Sequence, residues 1–381
     1  MKPNKSPLFF LISSLIIIGI IFISISSLTE ANSTIGDKFF FLRKQGFWLL
    51  VSLVVFYITS KIKIETIQKL SSVIYLFSIV SLILVLIPGF SNQALGARRW
   101  LNLGLFSFQP SEILKLSSII FFASHFSKEQ FRNFKNLILY LVGPFILIIL
   151  EPNLSTAILI TAIVISIFYL SGGKILPLFF LCLTIIGLSL ILILTSPYRS
   201  ARLQTLLNPQ NNTESTSYHS NQIILSLSSG GFFGKGFANS DQKYKFLPKI
   251  STDSILAIIG EETGFLGIAV IIFIYIYLIS YLLKISSLIT NQFQSLIVSG
   301  TACWIAYQCL INISAVAAII PLTGVPLPFI SYGGSSLITL FTAIGLVRNI
   351  EKRNSLLIYS DNDSKIKQDH HHHRHPSHSR S

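Results

Sequence analysis

Charged residues are scarce in this chain, and their scarcity indicates its class. Only 12% of the 381 residues are Asp, Glu, Lys or Arg, against about 25% in an average soluble domain. Hydrophobic residues make up 51% of the chain. This composition excludes an ordinary soluble enzyme, a disordered protein and a nucleic-acid-binding module, and it is typical of a polytopic membrane protein.

Cysteine is also rare, and the positions of the three cysteines indicate no functional site. Cys182, Cys303 and Cys309 all lie in apolar runs and form neither a Cys-x-x-Cys pair nor a disulfide framework. We therefore interpret them as small buried hydrophobic residues. A cleavable signal peptide is not evident, because the apolar run 8–28 is too long for one and no small-x-small site follows it.

The apolar runs predict an all-α polytopic membrane protein with ten transmembrane helices. A helix needs about 20 apolar residues to cross a membrane core of about 30 Å, and eight runs are clear. The stretch 136–170 is too long for one crossing and is interrupted by Glu151-Pro152-Asn153, so we divide it into two spans. The predicted spans are 8–28, 46–60, 70–88, 110–126, 136–150, 154–170, 175–196, 255–283, 294–318 and 330–350.

The distribution of basic residues orients these spans. With both termini in the cytoplasm, 17 of the 29 Lys and Arg residues lie in cytoplasmic segments and 11 in outer segments, and Lys115 lies within a span. The excess on one side favours cytoplasmic termini. Cations retained in the outer loops against this preference suggest an anionic ligand.

Two long connections separate the spans. One covers 89–109, and the other, 197–254, is predicted to be a large extracytoplasmic loop between helices seven and eight. Long loops of this kind are usually functional or disordered. We expect 208–221 to be mobile and 229–236 to pack on the membrane body. Residues 1–353 then form a single membrane domain, and 354–381 form a disordered, cytoplasmic, His-rich tail, although its histidines could also bind metal.

The segment GARRWLNLGLFSFQPSEILK at 96–115 runs from the first connection into the start of the next span. Arg98 and Arg99 form a pair of cations beside Trp100, which can anchor at the headgroup level. Arginine binds phosphate oxygens through two parallel hydrogen bonds, so the pair suits a lipid pyrophosphate. Contact with ordinary anionic lipid headgroups is the alternative.

Glu112 and Lys115 follow in the first turns of the next helix, and their three-residue spacing places them on one face. Ionisable side chains within a span are costly, so the two are expected to pair or to line a hydrated cavity. A purely structural ion pair and a substrate contact are both consistent with this pattern.

Asp253 lies just before the eighth span, with Glu261 and Glu262 about two turns further on. An Asp before an apolar run can be a helix cap. It can also be a base acting on a lipid-linked substrate at the membrane surface, kept ionised by nearby lysines. Before the last span, GVPLPFISYGGSS at 324–336 interrupts the apolar pattern, which is tolerated at membrane depth where the backbone lines a cavity.

Four separated motifs make the chain resemble the SEDS family (shape, elongation, division and sporulation), which includes FtsW, RodA and SpoVE. They are GARRW with FQPSE and Lys115 at 96–115, SGGFFGKG at 229–236, FLP with TD and IGEE at 246–264, and PLPFISYGGSS at 326–336. The family also resembles this chain in having ten spans, cytoplasmic termini and a large outer loop. The segments at 240–243 and 258–262 look more like the division branch than the elongation branch.

The resemblance implies a peptidoglycan glycosyltransferase that polymerises lipid II, an undecaprenyl-pyrophosphate-linked disaccharide-pentapeptide, by inverting transfer. Asp253 matches the family's essential acidic residue. The residues implied in substrate binding are Arg98, Arg99, Trp100, Gln109, Glu112, Lys115, Lys243 and Ser331. No metal ligand is assigned, and a divalent cation, Mg²⁺ or Mn²⁺, is the one cofactor that the resemblance leaves open.

The implied partners are lipid II, a class B penicillin-binding transpeptidase and other proteins of the division or elongation machinery, without nucleic acid. The runs 255–283 and 295–318 are candidate docking surfaces for the transpeptidase helix. On the second run the small residues Gly300, Ala302 and Ala306 would permit close approach.

The chain departs from the family pattern near the predicted site. It has Pro248-Lys249 and Ser251 where the family often has other residues before the TD motif, and Asn153 where an acidic residue commonly follows the proline. Two other functions remain open from the sequence: a lipid II flippase, which a ten-span protein with a polar cavity would also suit, and a non-catalytic division scaffold.

Overall fold

The computed structural model describes residues 6–34, 36–94, 97–102, 104, 107–207, 215–237, 239–240 and 252–355. Twelve α-helices lie within these ranges: α1 (Pro7–Thr34), α2 (Phe40–Thr59), α3 (Ile64–Leu86), α4 (Pro110–Phe126), α5 (Phe134–Leu150), α6 (Leu154–Leu170), α7 (Ile175–Thr195), α8 (Pro197–Leu207), α9 (Ser215–Gly230), α10 (Ile255–Leu288), α11 (Gln292–Val316) and α12 (Gly334–Arg353). A short 3₁₀ helix covers Glu129–Phe131.

Six of these helices are long and apolar enough to cross a membrane: α1, α2, α3, α7, α10 and α11. The helices α5 and α6 are apolar but shorter. The predicted break between them is present, because α5 ends at Leu150 and α6 begins at Leu154. Apolar sequence in lipid favours helices because each helix satisfies its own backbone hydrogen bonds.

The connection 89–109 is not a simple loop. It contains a three-stranded antiparallel sheet in the order β1 (Ser91–Ala94), β2 (Ala97–Asn102) and β3 (Ser107–Phe108). The expectation of an all-α chain is therefore corrected: the molecule is mostly helical and carries this small sheet. Pro110 stands at the start of α4, where its fixed φ suits the first helical turn.

The connection 197–254 also contains regular structure, namely α8 and α9. Residues 215–221, expected to be mobile, form the start of α9, whereas 208–214 lie outside the described residues. The segment 229–236 packs on the membrane body as expected, because its backbone hydrogen-bonds to α10. Residues 356–381, which include nearly all of the predicted tail, lie outside the described ranges.

The centre of the bundle is formed by α4 and α11. Nearly every side chain of α4 is buried, and it packs against α3, α6, α11 and α12. A Cβ added at Gly300 of α11 would stand 3.0 Å from both Ile119 and Ile167, which belong to α4 and α6, so the three helices approach closely there. The peripheral helix α7 contrasts with these two, since Leu178 is its one buried residue among those described.

The burial of α11 corrects one sequence expectation. Gly300 and Ala302 are buried inside the bundle and cannot contact a partner helix, while Ala306 is partly exposed. The outer face of α10 instead remains accessible, with large apolar residues exposed at Phe265, Val270, Phe273 and Ile276.

Candidate active site

Three of the four motifs meet at one end of the helical bundle, where α4, α10 and α12 begin and α11 ends. The Gln109 backbone N–H donates to Ser335 Oγ at 3.3 Å, which joins the starts of α4 and α12. Asn312 of α11 donates through Nδ2 to the backbone oxygens of Asp253 and Val325 at 3.3 and 2.8 Å. These bonds bring together segments that are far apart in sequence.

The predicted pairing of Glu112 with Lys115 is present. Lys115 Nζ lies 2.8 Å from the Glu112 carboxylate, and both side chains are buried. Lys115 Nζ also donates to Gln308 Oε1 at 3.0 Å and lies 5.2 Å from the centre of the Trp304 ring. A buried charge needs such partners, because removing one partner of a buried ion pair destabilises a protein by about 3–5 kcal/mol.

Gln308 connects the ion pair to the loop before α12. Its Oε1 also accepts from Trp304 Nε1 at 2.6 Å, and its Nε2 donates to Pro326 O at 2.8 Å. Gln308 and Asn312 are four residues apart and lie on one face of α11. These two side chains, one helical turn apart on α11, thus hold the adjacent loop residues Pro326 and Val325 against the helix.

Asp253 lies beside this loop and keeps partial solvent exposure. A Cβ added at Gly324 would stand 3.4 Å from Asp253 Oδ2, so the carboxylate is packed against the Gly324 backbone. Gly324 has a φ of 71°, a conformation that favours glycine. The residue at the N-cap of α10 is Ser254, not Asp253.

The strand β2 carries Arg98, Arg99 and Trp100, all partly exposed. In the pairing with β1, Gln93 is opposite Arg98 and Asn92 is opposite Trp100, so Arg99 is the extra residue of a β-bulge. A bulge redirects a side chain. Arg99 Nε donates to Glu151 O at 3.1 Å, and its Nη2 donates to Pro152 O.

Glu151 sits in the turn between α5 and α6, fully buried beneath this arginine. Neither carboxylate oxygen has a hydrogen-bond partner among the described residues. Burial raises the pKa of the Glu151 carboxyl to about 8, although the nearby Arg99 charge acts in the opposite direction. The carboxyl is therefore mostly protonated at pH 7.

The SGGFFGKG segment at 229–236 is docked on α10. Lys235 N and Gly236 N donate to the backbone oxygens of Glu261 and Glu262 at 2.9 and 3.0 Å. The Glu261 carboxylate accepts from Lys235 Nζ at 3.0 Å, from Ser226 Oγ at 2.9 Å and from Ser240 Oγ at 2.5 Å. Glu261 is thus occupied by structural contacts.

The remaining predicted residues differ in their placement. Gln109 directly precedes α4 and is partly exposed. Ser331 is buried, and its Oγ accepts from Leu327 N–H at 2.9 Å inside the loop. Lys243 lies outside the described residues. The sequence interpretation missed Gln308, Asn312 and Trp304, although polar residues four apart in an apolar span are a signal of function.

Among the described acidic residues of the four motifs, Asp253 alone retains solvent access. Glu112, Glu261 and Glu262 are buried. A proton acceptor must reach the substrate directly or through one water molecule, so Asp253 is the candidate base of this arrangement. Within the described ranges, no group of three or more His, Cys, Asp or Glu side chains could hold a metal ion by itself.

Comparison with known proteins identifies the family to which this chain is similar. The model of a family described as cell cycle protein, FtsW/RodA/SpoVE, matches residues 6–356. The chain is 34% identical over 346 residues to the probable peptidoglycan glycosyltransferase FtsW of Buchnera aphidicola subsp. Baizongia pistaciae, covering 88% of this chain and 90% of the relative. It is 32% identical over 346 residues to stage V sporulation protein E of Bacillus subtilis, covering 89% and 94%.

Two solved structures share the fold. A chain in a structure described as structural coordination of polymerization and crosslinking by a peptidoglycan synthase complex has a TM-score of 0.75 at 22% identity, covering 93% of this chain and 99% of that chain. The rod shape determining protein RodA of Thermus thermophilus has a TM-score of 0.68 at 22% identity, covering 91% and 96%.

Proposed function

The chain belongs to the FtsW/RodA/SpoVE family of cell cycle proteins, and we propose that it is a peptidoglycan glycosyltransferase that polymerises lipid II. Relatives named peptidoglycan glycosyltransferase FtsW match almost the whole chain and favour the division branch. The observation that carries the proposal is the partly exposed carboxylate of Asp253, seated beside Gly324.

The proposed reaction joins two lipid-linked disaccharides. The 4-hydroxyl of the acceptor GlcNAc attacks the anomeric carbon of the donor MurNAc, and undecaprenyl pyrophosphate departs with the bonding electron pair. Asp253 accepts the hydroxyl proton, a contribution of about 10²- to 10⁴-fold. The donor is α-linked and the product β-linked, so one inverting displacement needs no covalent enzyme intermediate.

Cations would stabilise the charge that gathers on the departing pyrophosphate. Arg98 is the first candidate, since its guanidinium lies on β2 at the same end of the bundle as Asp253. Arg99 is partly engaged by the α5–α6 turn and contributes its charge from there. Lys243, outside the described residues, stays a candidate on sequence grounds.

A divalent cation would fit the donor set. Mg²⁺ is usually bound through one or two carboxylates together with substrate phosphates, and Asp253 supplies one such carboxylate. Bound there, Mg²⁺ or Mn²⁺ would supply charge neutralisation for the pyrophosphate. The ion would be bound by protein and substrate together, because the described part of the chain has no group of three or more side chains that could bind a metal ion.

We further propose ten membrane spans in one domain, 1–353, of the bacterial cytoplasmic membrane, with both termini in the cytoplasm. The six long apolar helices and the two shorter ones, α5 and α6, account for eight spans. The central, more polar helices α4 and α12 would complete the set. Helices α8 and α9 and the sheet would then lie on the outer side, with Asp253.

The proposed partner is a class B penicillin-binding transpeptidase whose single helix packs on α10. Two observations support this surface: the large apolar residues on the outer face of α10 are exposed, and a structural neighbour is a chain of a peptidoglycan synthase complex. Other division or elongation proteins would join through this complex.

The test of the activity uses the purified full chain in detergent, with the transpeptidase present and labelled lipid II fully accessible. We expect glycan chains and released undecaprenyl pyrophosphate. A flippase needs a sealed bilayer and leaves lipid II chemically unchanged, so recovery of intact lipid II alone would contradict the proposal.

A further inference from the structure

A cavity of about 850 Å³ lies between α1, α2 and α12 and reaches Phe329 in the loop before α12. This volume is at the upper end of the range of about 300–1,000 Å³ for small-molecule sites. Its lining is mostly apolar along α1 and α2 and includes Lys61, Arg348 and Lys352 at one end.

The wall formed by α1 has the shape and chemistry of an acyl-chain groove. Leu8, Ile12, Ile16 and Ile20 are spaced by four residues and form one apolar stripe. At 1.5 Å per residue the stripe is about 18 Å long, which is slightly more than half of a membrane core about 30 Å thick. The groove therefore extends through one leaflet.

Cations are concentrated at one end of this groove. Lys61 follows the end of α2, and Arg348 and Lys352 lie in the last turns of α12, beside the start of α1. Arg348 pairs with the buried carboxylate of Glu351 at 2.7 Å. The described lining contains these three cations and no carboxylate, and one of the three, Arg348, is the one that pairs with Glu351, so the groove end keeps a net positive charge.

We propose that this groove binds one anionic phospholipid of the leaflet at which α1 begins and α12 ends. Its acyl chains would lie along the α1 stripe, and its headgroup phosphate would contact Lys61 and Lys352. Basic pockets between transmembrane helices are suited to anionic headgroups. This inference does not depend on the proposed reaction, because Asp253 and β2 lie at the opposite end of the bundle.

The polar and apolar parts of the groove can be tested separately. The double variant Lys61→Gln, Lys352→Gln removes two cations and leaves Arg348, whose loss would unpair the buried Glu351. Lys174→Gln is the matched control, since Lys174 is an exposed cation at the same end but outside the groove. Ile16→Trp fills the apolar part without changing charge, and Leu190→Trp on the exposed face of α7 is its control.

The experiment is native mass spectrometry of the full chain, released from nanodiscs that contain equal amounts of phosphatidylglycerol and phosphatidylcholine. We expect one retained phosphatidylglycerol per chain. Retention should fall about fivefold for each lysine removed, and it should disappear in Ile16→Trp, with both controls unchanged.

Three outcomes would overturn the inference. They are equal retention of the two phospholipids by the unmodified chain, unchanged retention by the double lysine variant, and loss of lipid in both tryptophan variants alike. Size-exclusion chromatography of every variant separates loss of the site from loss of the fold.

Discussion

At the scale of single residues, the acidic side chains in and near the candidate site differ in what surrounds them. Glu112 is paired with Lys115, and Glu261 accepts from a lysine and two serines. Glu151 is buried without a hydrogen-bond partner for its carboxylate among the described residues. Asp253 keeps solvent access, and this difference in environment is the basis for assigning it the role of base.

Glu151 predicts a pH-dependent stability. Its folded-state pKa of about 8 is above the ordinary value of 4.5, so between these values the folded chain binds more protons than the unfolded chain. The free energy of unfolding should therefore fall as pH rises from about 5 to about 8, by at most about 1.4 kcal/mol per pH unit.

In Glu151→Gln this part of the pH dependence should be absent, so the variant should be the more stable protein at pH 8. Thermal denaturation in detergent across the pH range measures it. Glu65→Gln, which changes an exposed carboxylate at the other end of the bundle, should keep the original profile. If the stability of the unmodified chain and that of Glu151→Gln changed in parallel with pH, Glu151 would be charged in the folded state and its raised pKa would be contradicted.

The two arginines of β2 should respond differently to replacement by lysine. Arg99→Lys loses the planar fork that contacts both Glu151 O and Pro152 O, so it should destabilise the fold by about 1.5–3 kcal/mol. Arg98→Lys should leave the denaturation temperature unchanged and reduce polymerisation. Equal destabilisation by the two variants would contradict this division of roles.

Sequence spacing could predict some of these contacts and not others. The Glu112 and Lys115 pairing follows from a three-residue separation on a helix. Gln308 is 193 residues from Lys115, and Asn312 is 59 residues from Asp253. Such pairings depend on how whole helices pack, which no local pattern contains.

At the scale of elements, the docking of 229–236 on α10 depends on close backbone approach. Gly264 has a φ of 69° and interrupts α10, and a Cβ there would stand 2.4 Å from Gly234 N. A helix interrupted in this way leaves room for the Phe232 and Gly234 backbones. Glycine is required at this contact for both conformational and steric reasons.

Gly264→Ala should therefore destabilise the chain by about 2–4 kcal/mol or prevent its folding. Gly187→Ala is the matched control, since it lies in the exposed helix α7 with no atom within 4 Å of the added Cβ. That variant should be neutral or stabilised by up to about 1 kcal/mol. Thermal denaturation of the two purified variants measures the difference, and similar midpoints would refute the proposed packing role.

The apolar periodicity predicted the long helices because lipid leaves the backbone few alternatives. It missed the sheet at 91–108 and helices α8 and α9. Those segments are polar or mixed in composition, so hydropathy does not distinguish a strand or a surface helix from a loop there. The interruption at Gly264 was also missed, because it lies inside the predicted span 255–283 and glycine is frequent in transmembrane helices.

At the scale of the whole molecule, the ten-span topology places α9 and the end of α10 on opposite sides of the membrane. Single cysteines at Ser215 and Lys284 should be labelled from outside and inside, respectively. The background must lack Cys182, which is exposed, as well as Cys303 and Cys309. Labelling of both positions from one side would contradict the ten spans.

The most direct test of the proposed mechanism is glycan-chain formation from lipid II by purified Asp253→Asn, correctly inserted and with the partner transpeptidase present. Asn keeps the size of the side chain and most of its hydrogen-bonding capacity, but it cannot act as a base. The account predicts that polymerisation falls by about 10² or more while folding and lipid II binding are kept, a larger loss than in Arg98→Lys. Near-normal polymer from Asp253→Asn would contradict the assignment of Asp253 as the base.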